Sequence, residues 1–193
     1  MIAPSFWDYQ RLDPTARTLR RLLIQNNVTG CTMMINRALK ELAMPIPPGA
    51  VMHDQWLTLS AAVFGRIDYL TDRTLLHIVH GGNAAGVDDY SLLSLLRKRL
   101  TWSSYGKTRH NVTRKIIQAR EFHRRYGERL RSERKEKTLA MVRDFAHLGE
   151  MNPFGRAGVL LRHGIKPYGF IRTLWHSFVV LTMKHPQQRK DLP

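Results

Sequence analysis

The sequence predicts an α/β first half, residues 1–90, followed by a helical extension, residues 91–193. Three observations carry this. Short apolar, β-branched runs alternate with helix-like segments as far as the glycine-rich stretch Gly81-Gly82-Asn83. From Tyr90 onward Arg and Lys are interleaved with Leu, Ile, Phe and Tyr in a helical pattern. Charge divides at the same place. The first half holds 8 Lys/Arg against 8 Asp/Glu, the second 23 against 7, so the whole +16 lies in the extension.

The elements follow in order. Residues 15–25 read as a helix, with Asp13 as N-cap and Pro14 in its first turn. Residues 28–35 (VTGCTMMI) are compact and β-branched, as in a buried strand, and residues 37–43 form a short helix. Pro45, Pro47, Pro48 and Gly49 enforce a loop. Residues 54–64 are apolar at helical spacing, with Asp54 in the N-cap position and Gly65 as the stop. Residues 66–70 and 74–79 read as two strands about the turn Thr71-Asp72-Arg73. Helices are predicted over 91–100, 108–131 and 132–148. After the break Asn152-Pro153-Phe154-Gly155, two more cover 154–163 and 168–185, with Gly164 and Pro167 between them.

Composition bounds the function. A hydrophobic fraction of 43% supports a packed core and excludes wholesale disorder. Cys31 is the lone cysteine, which excludes an internal disulfide and points to a reducing compartment. No secretory signal opens the chain. No stretch reaches the ~20 apolar residues of a membrane span. Residues 170–183 come nearest, interrupted by Arg172 and His176.

A carboxylate beside an aromatic opens an apolar helix at His53-Asp54-Gln55-Trp56. The helix dipole favours negative charge there, so Asp54 can serve as a general base or as a simple cap. Trp56 can stack on a sugar ring or belong to the core. His53 and Asp54 are adjacent at a helix start and point apart, which argues against a dyad. The basic helices suit a polyanion, either a nucleic-acid backbone or an anionic lipid surface, or are simply a solvated basic face. Trp102, Phe170, Leu174, Trp175 and Phe178 favour lipid, and no helix-turn-helix, zinc or RNA-binding signature accompanies the charge.

Residues 26–86 resemble the C-terminal half of the catalytic domain of family 2 glycosyltransferases, in particular bacterial rhamnosyltransferase-like members. The likeness runs through Asn27-Val28-Thr29-Gly30-Cys31-Thr32-Met33 to Asn36, the Pro-containing loop 44–48, His53-Asp54 with Trp56, Gly65 to Leu70, and His77 to Asn83. Ile78 stands where the family tends to carry arginine. The resemblance implies a partial GT-A-like domain with a mixed sheet, and inverting transfer from a nucleotide diphosphate sugar to a cell-surface polysaccharide or lipid-linked acceptor. It implies Asp54 as catalytic base, and Gly30, Cys31, His53 and Trp56 at the acceptor. It also implies His80 near a divalent metal, Mg or Mn. The nucleotide-binding strand and the D-x-D motif of the family have no counterpart before Asn26. The chain alone is therefore expected to be inactive and to need a missing N-terminal half, or to pair with a second copy. The basic tail looks like the juxtamembrane tail of the same enzymes, which implies a cytoplasmic protein peripheral at the inner face of the plasma membrane. The alternative is a non-catalytic basic helical adaptor that binds anionic membrane or nucleic acid.

Overall fold

A computed structural model of the chain describes residues 5–72, 75 and 102–183, and these are all-helical or irregular, with no strand. The expected α/β domain with its mixed sheet is thereby overturned. Five-residue α1 (Phe6–Gln10) and one-turn α2 (Leu19–Leu22) lead to a 3-10 turn at Gly30–Thr32. Next come α3 (Arg37–Ala43) and α4 (His53–Phe64). The long α5 (Trp102–Ser132) packs beside α6 (Glu136–Ala146). A 3-10 turn at Leu148–Glu150 then feeds the paired α7 (Pro153–His163) and α8 (Phe170–Thr182). The helix predicted over 91–100 and the strand over 74–79 lie outside the described residues, apart from Leu75.

Segment 28–35 fails as a strand because side chains, not a neighbouring strand, satisfy its backbone. Asn26 accepts from Val28 N at 3.1 Å and donates to Val28 O at 2.9 Å. Thr32 Oγ1 donates to Thr29 O at 3.0 Å, and Asp54 takes the Gly30 N–H at 3.1 Å. Such local bonds offer the chain an alternative to a ladder, and β-branched composition does not override them. Met34 is 96% exposed, so the segment is no buried strand. Residues 66–70 are also unpaired as a strand. Arg17 reaches the Ile67 carbonyl and Asp68 instead, and its guanidinium lies 5.3 Å from the Tyr69 ring centroid. The helix predicted over 15–25 is cut to Leu19–Leu22 because Asp13 Oδ1 accepts from both Thr15 N and Thr15 Oγ1 and holds the chain in a turn.

The helices of the second half form for the reasons their sequences suggest. Buried Val112, Ile116, Ala119, Phe122, Tyr126 and Leu130 recur every three or four residues and give α5 one apolar face. Asn152 caps α7 by accepting from Gly155 N at 2.8 Å, with Pro153 in the first turn. Gly164, at φ 60°, ends α7 in the left-handed region. One core joins the two halves. Trp56 of α4 lies against Phe122 and Tyr126 of α5, with ring centroids 5.5 and 5.9 Å away. Leu22, Leu23 and Ile24 belong to the same cluster, as do Val142 and Phe145 of α6.

Some of the basic side chains hold the bundle together. Arg156 is 4% exposed and donates to the carbonyls of Leu148, Gly149, Val180 and Met183. Arg172 donates to Gln10 and Arg11 at the end of α1. Arg21 reaches Lys166 O and Pro167 O. Most of these carbonyls lie at a helix end or in a turn, where the backbone leaves acceptors unfilled, although Leu148 O also accepts from Met151 N at 3.4 Å. Asp144 ties α6 to α7 through His163 at 2.9 Å. Burial alone would raise the Asp144 carboxyl. The His163 and Arg143 bonds outweigh it and hold the group below the usual carboxylate range.

Lys115 yields a pH test. Its ammonium donates to Ile24 O, and burial pulls its pKa from 10.5 to about 8. A depressed lysine pKa means the unfolded chain binds more protons between those values, so stability rises with pH across that window. The cost of burying the charge is full below about pH 8 and is relieved toward pH 10.5. Wild type is expected to gain on the order of 2 kcal/mol relative to Lys115→Met between pH 7 and pH 10 in denaturant melts. Parallel pH curves for the two proteins would show that the ammonium is not desolvated.

Candidate functional site

The site expected from the sequence forms at the N-terminus of α4. Met52, in extended conformation, is the N-cap and supplies no side-chain cap bond. Asp54 therefore stands two residues inside the cap position, a correction to its expected N-cap role. Its residue exposure is 7%. Oδ1 accepts from Gln55 N at 2.6 Å, and Oδ2 accepts from Gly30 N at 3.1 Å. The adjacent Gln55 amide and the Gly30 amide, 24 residues away in sequence, thus fix the carboxylate.

Gly30 is closely approached by the His53 ring. A Cβ there would lie 2.6 Å from His53 Nε2 and 3.4 Å from Asp54 Cβ. His53 is exposed, and both His53 and Asp54 lie on the side of Gly30 where a Cβ would point. Cys31, the next residue along the turn, is an exposed free thiol. Gly30, Cys31, His53 and Asp54 accordingly form one cluster with an open side.

Trp56 takes the core alternative. It is fully buried, its Nε1 donates to Ala43 O at 3.0 Å, and Phe122 and Tyr126 pack on its rings. His80, the candidate metal ligand, lies outside the described residues. Among the described residues no three His, Cys, Asp or Glu side chains are grouped as metal ligands would be.

The sequence reading missed what holds the cluster in place. Helix α5 grips both ends of the Pro-rich loop that enters α4. At the start of the loop Arg125 donates to the carbonyls of Leu42, Met44 and Pro45, and Tyr126 Oη donates to Leu42 O at 2.9 Å. At its end Gln118 Oε1 accepts from Val51 N at 2.8 Å, and Arg114 donates to Val51 O. In between, a Cβ on Gly49 would meet Glu121 Cγ at 2.7 Å, so the loop lies flush on α5. The sequence signal was only a basic helix, which does not distinguish an arginine that tracks a polyanion from one that binds carbonyls. Arg114, Lys115, Arg120 and Arg125 all donate to main-chain carbonyls, which leaves less of the charge facing outward than the sequence suggests.

No helix among the described residues is long and apolar enough to cross a membrane. No protein-family profile, curated protein or solved structure matches the chain.

Proposed function

We propose that the cluster at the start of α4 is the acceptor side of an inverting glycosyl-transfer site, and that the chain works at an anionic membrane surface. The observation that supports this is the Gly30–Asp54 hydrogen bond. It draws together two motifs that the glycosyltransferase resemblance places at the acceptor and that are remote in sequence. In this reading Asp54 removes the proton from an acceptor hydroxyl. The freed oxygen attacks the anomeric carbon of a nucleotide diphosphate sugar, the bond from that carbon to the diphosphate breaks, and configuration inverts. His53 and Cys31 line the open side and touch the acceptor. A divalent metal, Mg or Mn, would supply charge neutralisation at the diphosphate. The proposal needs no mixed sheet and covers the acceptor side alone.

Heteronuclear NMR titration of the isotope-labelled full chain with a panel of cell-surface oligosaccharides tests the acceptor role. Resonances of Gly30, Cys31 and His53 are expected to shift with one class of glycan, and His53→Ala is expected to weaken binding by about tenfold. Where a nucleotide-binding partner restores turnover, Asp54→Asn is expected to lower kcat by about 10²–10⁴-fold with little change in KM. A panel that leaves all three residues unperturbed, or an Asp54→Asn variant with full turnover, would sink the reading.

A further inference from the structure

We propose that the outer face of α8 lies flat in the interface of an anionic phospholipid bilayer, with the start of α5 supplying flanking cations. This deepens, and rests on, the membrane part of the proposed function. It names the face that inserts.

Helix α8 is apolar on two sides, and the bundle covers one. Arg172, Val179 and Val180 face inward and are buried, as is Met183 just beyond the helix. Phe170, Leu174 and Phe178, spaced by four residues, are 77%, 56% and 52% exposed. An α-helix places such residues on a single stripe. Trp175 stacks on Phe178 with ring centroids 5.8 Å apart, and Tyr105 meets the same ring edge-on at 6.2 Å. Aromatic rings with polar tips suit the boundary between acyl chains and headgroups. At ~1.5 Å per residue, 13 residues are too short to cross a bilayer, so the helix can only lie along its surface.

Charge selects the lipid. Trp175 Nε1 donates to Thr108 Oγ1 at 2.9 Å, which sets the start of α5 alongside α8. Lys107 and Arg109 are exposed immediately on either side of Thr108, and Lys166 is exposed ahead of α8. Residues 102–120 and 151–183 contain no Asp or Glu at all. The one arginine of α8 is turned inward onto the carbonyls of Gln10 and Arg11, so it does not oppose insertion. An apolar aromatic stripe bordered by cations, on segments that themselves carry no Asp or Glu, fits an anionic bilayer better than an acidic or basic protein surface.

Co-sedimentation of the full chain with vesicles of equimolar phosphatidylcholine and phosphatidylglycerol tests this. The pair Leu174→Ser and Phe178→Ser, both at exposed positions, is expected to keep the wild-type melt and to lower vesicle partitioning by about tenfold or more. That loss should persist at high salt. The pair Lys107→Glu and Arg109→Glu should weaken binding mainly at low salt, because exposed charges are screened beyond roughly 10 Å at 0.1 M. If wild type binds and the serine pair binds as well, the stripe does not insert, while the membrane reading stands on charge alone. If wild type binds no vesicle, both fail. A wild-type dimer that the serine pair dissolves, without lipid binding, would make a second copy the occupant. Preference for duplex DNA over vesicles at matched salt would replace lipid with nucleic acid. Either result overturns the inference.

Discussion

Arg156→Ala is expected to destabilise the chain by about 3–5 kcal/mol, a large share of the ~5–15 kcal/mol typical of a domain. The guanidinium is one plug in several sockets. Nε donates to Leu148 O at 3.2 Å, Nη1 to Val180 O at 3.1 Å and also to Met183 O, and Nη2 to Gly149 O at 3.3 Å. Its loss removes a shared donor from carbonyls of the turn after α6 and of the end of α8, most of them buried. Each buried group left without a partner costs ~1–3 kcal/mol, although the costs do not simply add. Desolvation already pulls the Arg156 pKa down, so the charge is tolerated only because the carbonyls answer it. Arg156→Lys keeps the charge but not the planar fork, and it should recover less than half of the loss. Urea melts of both variants, with exposed Arg131→Ala as the near-neutral reference, measure the effect. An Arg156→Ala midpoint equal to that of Arg131→Ala would mean that the α7–α8 junction does not depend on this side chain.

Trp56→Ala is expected to cost about 3–5 kcal/mol, the range for truncating a large buried aromatic. Trp56 bridges α4 to α5 through Phe122 and Tyr126 and ties to the end of α3 through Ala43 O. Trp56→Phe keeps most of the ring contact, loses the indole N–H, and should cost ~1–2 kcal/mol. Stability and glycan binding separate the two readings of this residue. A core tryptophan predicts that Trp56→Phe lowers the melting temperature and leaves oligosaccharide affinity alone. A sugar platform predicts the reverse. Wild-type stability in Trp56→Ala would contradict the packing described here.

The helices of this chain were legible where local chemistry and tertiary packing agree. Residues 37–43 begin after Asn36, whose side chain accepts from Leu39 N at 2.9 Å, and the predicted bounds coincide with α3. Helix α4 was placed to within a residue, because an apolar run ends at Gly65. Helix α7 was legible from Asn152-Pro153 at its start and Gly164 at its end. The strand expected over 28–35 was not, because its β-branched composition carries no information about which side chains take its amides. The same holds for residues 66–70, which Arg17 holds from a distance of 50 positions in sequence.

By itself the sequence determined the charge asymmetry, the lone thiol Cys31 and the helical pattern of the second half. These depend on composition and on local spacing, which the linear chain carries. Only the tertiary structure decided that α3 and α4 dock on α5, and that Trp56 is core. Only it showed that Arg114, Lys115, Arg120, Arg125, Arg156 and Arg172 are bound to carbonyls, and that Gly30 lies against His53. The physical reason is one of partners. A buried amide or a guanidinium must find a complementary group, several lie nearly at equal reach along the chain, and which one is met depends on how distant segments pack.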